Sequence, residues 1–110
     1  MFTPEQKKGS VELLVLTMLD EEPRHGYDIG KRIELRSGGR LTFNPSTLYP
    51  VLYRMENQGW IKGVWVEKEG KRRRCYYHLT TDGKKILAEK VKGWQEFTDA
   101  VNEAIGLSNA

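Results

Sequence analysis

A single cysteine, Cys75, stands in a chain of 110 residues. No intrachain disulfide can brace such a fold, and a reducing compartment, the cytoplasm, is the expected setting. No apolar run approaches the roughly 18 residues of a membrane span. The opening segment from Met1 to Lys8 is polar and lacks the hydrophobic region of a secretory signal. Histidine is nearly as scarce, with two copies. His25 sits at a predicted helix start before a glycine, where a capping or packing role is expected. His78 lies three residues after Cys75 in a predicted strand, so the two point to opposite faces and cannot share a metal or form a direct Cys/His pair. There is no Gly-rich phosphate loop and no paired-cysteine motif. These absences argue against an enzyme, a metal site and a cofactor. The alternation of its strand buries Cys75 and makes it an inert thiol.

What is present describes one globular domain with a single modest core, at 38% hydrophobic and 30% charged residues. The net charge is only +3, but residues 62–74 hold six basic side chains (Lys62, Lys68, Lys71, Arg72, Arg73, Arg74) and two acidic ones (Glu67, Glu69), a local +4. The rest of the chain is close to neutral, so the positive field is concentrated in one short segment.

The stretch from Asn44 to Ile61 carries the most information. Leu48, Val51, Leu52 and Met55 recur at helical spacing and predict a buried stripe. The other side offers Ser46, Thr47, Tyr49, Tyr53 and Arg54, all hydrogen-bond donors and none acidic. Pro50 costs least in a first turn, whose N–H groups lack acceptors, which favours a start near Ser46 or Thr47 over one at Asn44 with Pro45 first. Gly59 stops the helix. Strands follow at residues 61–67 and 73–79, rich in β-branched and aromatic residues and joined by a basic loop. Period two places Cys75, Tyr77 and Leu79 on the core-facing side.

Upstream, Ser10 is placed as N-cap of a nearly continuous apolar helix over residues 11–19, ended by Asp20 to Pro23. A second helix runs from about Gly26 to Leu35, with Ile29, Ile33 and Leu35 inward. Thr80 or Thr81 caps a last helix reaching about Ile105. Its Leu87, Val91, Trp94, Val101 and Ile105 follow heptad steps, and about 25 residues at 1.5 Å make a rod longer than a small domain can cover. Packing between two subunits is therefore expected along that seam. The fold class is mainly α with a small β-hairpin: a winged helix-turn-helix over residues 1–80 and a C-terminal dimerisation helix over 81–110, forming one compact unit. Helix, stop and basic hairpin in that order point to sequence-specific DNA binding.

Four segments carry a family resemblance: Ser10 to Leu19, His25 to Ile29, Ser46 to Ile61 with its Thr47-Leu48-Tyr49-Pro50 core, and Tyr76 to Gly83. Together they resemble the PadR family of winged-helix repressors, in its short form with one C-terminal helix. The resemblance implies a cytoplasmic homodimer on double-stranded DNA with a pseudo-palindromic operator. Tyr27, Ser46, Thr47, Tyr49 and Arg54 would be groove or phosphate contacts, and Lys71, Arg72 and Arg73 wing contacts. It also implies a pocket at Trp94, where a small hydrophobic or aromatic effector would stack between two copies. A plain packing indole is the other reading of Trp94. A second function class stands beside the first, a winged-helix module that binds a protein and reads no operator.

Overall fold

The computed structural model describes residues 9–67, 70 and 72–107. The order of elements is α1 (Val11–Glu21), β1 (Arg24–His25), α2 (Gly26–Arg36), α3 (Pro45–Asn57), β2 (Ile61–Val66), β3 (Arg74–Leu79) and α4 (Thr81–Ala104). Helix α1 lies at the centre: Val11, Val15, Leu16, Met18 and Leu19 are buried, with Leu13 and Leu14 packed against the core. Ser10 occupies the N-cap position without a side-chain capping bond. The helix continues two residues past the apolar run, because Glu21 is held there by ion pairs to Arg24 and Arg36.

Strand β1 was not expected from the sequence. Two residues pair with β3, Arg24 opposite Tyr77 and His25 opposite Tyr76, giving a three-stranded antiparallel sheet in the order β1-β3-β2. Arg24 is only 5% exposed. Burial opposes its charge, but the hydrogen bond to Asp28 at 2.8 Å and the fields of Asp28, Glu22 and Glu21 outweigh it and raise its pKa. Its Nε also donates to the Met18 carbonyl at 3.2 Å, so one paired cation locks α1, β1 and α2 together.

In α2, His25 is the N-cap, its Nδ1 accepting from the Asp28 N–H at 3.3 Å, while Ile29 and Ile33 enter the core. Leu35, expected inward, is 60% exposed. Two residues past Ile33 is about 200° around the helix, which turns Leu35 away from the face Ile33 buries.

The expected start of α3 also needs correction. The helix begins at Pro45 with Asn44 as N-cap, so Pro50 lies inside it. Asn44 decides this: its side-chain oxygen accepts from the Thr47 N–H at 3.1 Å and from the hydroxyls of Ser46 and Thr47 at 2.5 and 3.2 Å. Pro45 fits the first position, and the cap outweighs the one ladder bond that Pro50 cannot donate. The buried stripe is as expected, with Leu48, Val51, Leu52 and Met55 inward. Gly59, at φ +81°, ends the helix. Trp60 N–H reaches back to the Met55 carbonyl and Gly59 N–H to that of Glu56, both at 3.0 Å, a Schellman stop.

Strands β2 and β3 form the wing, paired from Ile61 opposite Leu79 to Val66 opposite Arg74. Tyr77 is buried, and Cys75 and Leu79 pack against the core, as alternation requires. Thr80 then ties the start of α4 to the end of α3: its hydroxyl donates to the Gly59 and Trp60 carbonyls and accepts from the Gly83 N–H at 2.9 Å. Gly83 leaves no room for a side chain, since an added Cβ would run into the Trp60 carbonyl and within 2.7 Å of Leu79. Leu87 belongs to the chain's own core. Beyond it, Val91, Trp94, Phe97, Val101 and Ile105 are between 38% and 69% exposed.

Candidate nucleic-acid interface

Helical geometry sorts the outer side of α3. Ser46, Pro50, Tyr53 and Asn57 form its outermost ridge, opposite the buried stripe; Thr47 and Arg54 lie on one flank, Tyr49 and Glu56 on the other. The second flank faces the wing. Between them lies a cleft of about 440 Å³ that brings together Tyr27, Tyr49, Tyr53, Trp65, Arg72 and Arg73, among others. Three elements distant in sequence thus supply one surface: the start of α2, the side of α3 and the wing.

Each side chain is placed by a specific contact. Tyr27 is 70% exposed, its ring stacked 6.4 Å from that of His25. Tyr49 is half-buried against Gly26, where a Cβ would come within 2.7 Å of its ring. The glycine therefore sets how closely α2 and α3 approach. Tyr53, exposed beside it at 6.2 Å, projects further out. On the wing, the Arg73 guanidinium lies 5.1 Å from the centre of the exposed Trp65 ring. Such stacking preorganises a cation without neutralising it. Arg74 reaches His25 Nε2 at 2.9 Å, joining wing and α2. Arg72 is exposed; Lys71, also expected on the wing, lies outside the described residues.

The floor of the cleft is not reactive. Burial pushes the Cys75 thiol above its ordinary pKa, against a lowering hydrogen bond with Tyr77, and pushes the Tyr77 phenol up more strongly. Glu56 is occupied by the Gly63 N–H at 2.9 Å. Both residues of the Cys75 and Tyr77 pair stay protonated near neutral pH, so the cleft can bind but offers no thiolate or phenolate nucleophile.

Of the residues singled out in the sequence, Tyr27, Tyr49, Arg72 and Arg73 meet in this cleft. Ser46 and Thr47 are exposed at the start of α3, their hydroxyl protons committed to Asn44. Arg54 turns to the opposite flank, 3.4 Å from Glu12. Sequence reasoning left Tyr53, Trp65, Arg74 and His25 out of the contact set. Period two puts Trp65 on the strand face of the buried Ile61, opposite the exposed Val64, and nothing in its neighbours singles it out. In the sequence His25 carries only a capping or packing signal.

The PadR-like transcriptional regulator family model matches residues 15–89, more than half of the chain. The chain belongs to that family. A protein of Lysinibacillus sphaericus is 30% identical over 95 residues, covering 86% of this chain and 87% of that protein. The Escherichia coli transcriptional regulator YqjI is 32% identical over 81 residues, 74% of this chain but 37% of that longer protein. Among solved structures, a transcriptional regulator from Clostridium thermocellum superposes with a TM-score of 0.86 at 28% identity, covering 94% of this chain and 97% of that one. A PadR family regulator from Eggerthella lenta gives 0.82 at 30% identity, over 94% and 88% of the two chains. PadR-like proteins are transcriptional regulators, not enzymes. Among the described residues, no helix is long and apolar enough to cross a membrane.

Proposed function

We propose that this PadR-like protein acts as a homodimeric repressor that reads a pseudo-palindromic site on double-stranded DNA. The observation that carries the reading is the cleft between α3 and the wing, where exposed aromatic rings are interleaved with Arg72, Arg73 and Arg74. Wing cations grip phosphates and supply affinity; the ridge of α3, with Ser46 and Tyr53, enters the major groove and supplies sequence preference. Lys71 would add a further phosphate contact.

The exposed apolar stripe of α4 supports dimerisation. Its 24 residues span about 36 Å, and only the first turns are covered by the chain's own core. Val91, Trp94, Val101 and Ile105 bury against a second copy, whereas Leu87, spent on the core, contributes at most an edge. Two copies related by a two-fold axis place their α3 helices in successive major grooves, about one helical turn apart. Trp94, half-exposed beside Gly93, is where an effector stacks between subunits. Repression follows from bulk: a domain of this size blocks polymerase.

A salt-titrated mobility shift tests this, with the DNA upstream of the protein's own gene set against a scrambled duplex of equal length. A preference of about a hundredfold that persists as salt rises is expected of an operator in that stretch. Absence of binding to either duplex at low salt, from a folded dimer, would reject DNA binding and favour a protein-interaction module.

A further inference from the structure

One carboxylate joins the recognition helix to the C-terminal helix. Glu12, in the first turn of α1, places Oε2 3.4 Å from Arg54 Nη2 on α3 and Oε1 3.3 Å from Lys90 Nζ on α4. All three side chains are partly exposed, at 25%, 53% and 32% for Glu12, Arg54 and Lys90. Lys90 lies three residues after the buried Leu87 and directly before Val91, where α4 leaves the core, and its ammonium sits 5.4 Å over the Trp60 ring. No other cation of the described wing or α3 is paired with a carboxylate in this way among the described residues.

We infer that Glu12 is a positioning residue that latches Arg54 against the protein, with Lys90 setting the strength of the latch. The inference rests on the DNA-binding reading above. Arg54 sits on the same flank of α3 as Thr47, so its guanidinium has two destinations, a DNA phosphate or base edge outside and Glu12 behind it. An exposed pair at this distance is weak and yields to a bidentate contact with a phosphate or guanine. DNA that offers Arg54 only a loose contact does not displace Glu12, and its phosphates also face the carboxylate's charge. Glu12 therefore lowers the affinity of both: a fitting duplex gives up the ion pair to gain its contact, a poorly fitting one forgoes the contact, and Glu12 sets affinity without touching a base.

Lys90 gives the latch a second input. It competes with Arg54 for the same carboxylate: with Lys90 in place, Glu12 holds Arg54 less strongly. A shift of α4 against α1 that withdraws Lys90 leaves Arg54 as the one cation on Glu12 and tightens the latch. Through this carboxylate, any event at Val91 or Trp94 that moves α4 is felt at α3, and binding of DNA is felt reciprocally at α4.

The test is a double-mutant cycle on the full chain, read as affinity for a mixed-sequence duplex at low salt, with thermal melts confirming that each variant is folded. Glu12→Gln should tighten binding about two- to fivefold, the range open to an exposed pair. Lys90→Gln should weaken it by a similar factor, and that weakening should vanish in the Glu12→Gln background. In an Arg54→Gln background the gain from Glu12→Gln should disappear. An unchanged affinity for Glu12→Gln, or a gain that survives Arg54→Gln, overturns the latch, the latter by showing simple repulsion between Glu12 and DNA. Failure of the wild-type protein to bind any duplex overturns the DNA-binding reading and the latch with it, whereas wild-type binding that ignores Glu12 overturns the latch alone.

Discussion

The two halves of α4 have similar apolar patterning and opposite surroundings. From Thr81 to Leu87 the helix is built into the body: Thr80 bonds to the end of α3, Gly83 is wedged under Trp60, and Leu87 closes the core. From Val91 to Ile105 the same helix exposes an indole, a phenyl ring and three branched aliphatic side chains. Heptad spacing alone does not separate these halves. A small core is used up after about two turns, and everything beyond must find its partner elsewhere or stay wet. One helix therefore begins as part of a fold and ends as a surface suited to association.

Substitutions on the two sides of that boundary should behave differently. The largest effect is expected from Gly83→Val. No rotamer relieves a clash with a backbone carbonyl, so a loss of more than about 3 kcal/mol, or failure to fold, is expected in a denaturant melt. Near-normal stability would show that the junction of α3 and α4 is loose. Leu52→Ala, in the fully buried core, should cost about 2–5 kcal/mol at every protein concentration. Trp94→Ala should instead lower the melting temperature by an amount that depends on protein concentration, because its burial is proposed to come from a second copy. A concentration-independent change would place Trp94 outside any interface.

Val91→Asp combined with Val101→Asp should abolish the proposed dimer in sedimentation while the monomer keeps its circular dichroism spectrum. A wild-type chain that sediments as a monomer would remove the contrast between the halves altogether. The smallest effect is expected of Gly93→Ala. Nothing lies within 4 Å of the added Cβ, so the helix should gain about 1 kcal/mol or less from improved propensity. A loss at that position, measured in the dimer, would mean that a partner's backbone or a ligand approaches the glycine closely.

Much of the architecture was legible from residues alone. The apolar run of α1, the four-residue stripe of α3, the Gly59 stop, the alternation that turned Tyr77 inward and a threonine cap at Thr80 or Thr81 are all local signals. Each is set by neighbours within a turn or two. The misplacements share a cause as well. The start of α3 was judged from the cost of Pro50, but Asn44 gathers one amide and two hydroxyls, and that cap outweighs the single bond the proline removes. Leu35 was placed inward because it is apolar, against its own angular position. A two-residue strand such as β1 has no period to read.

The candidate site was less legible than the fold. Tyr49 and the wing arginines could be named because their types suit a polyanion, and Tyr27 only through the family resemblance, yet nothing local says that Tyr49 rests on Gly26 or that Arg73 covers Trp65. The partners of Arg54 and Lys90 are harder still, since Glu12 is 42 and 78 residues away from them in the chain.

The sequence by itself determined the four helices and the two wing strands, most of their buried faces and the concentration of positive charge in the wing, because side-chain periodicity, caps and turn residues act over short distances. Only the tertiary structure decided which rings and guanidinium groups share a cleft, where the core runs out along α4, and which carboxylate stands behind Arg54. Those depend on how closely helices and strands approach in space, and that spacing follows from the packing of the whole core.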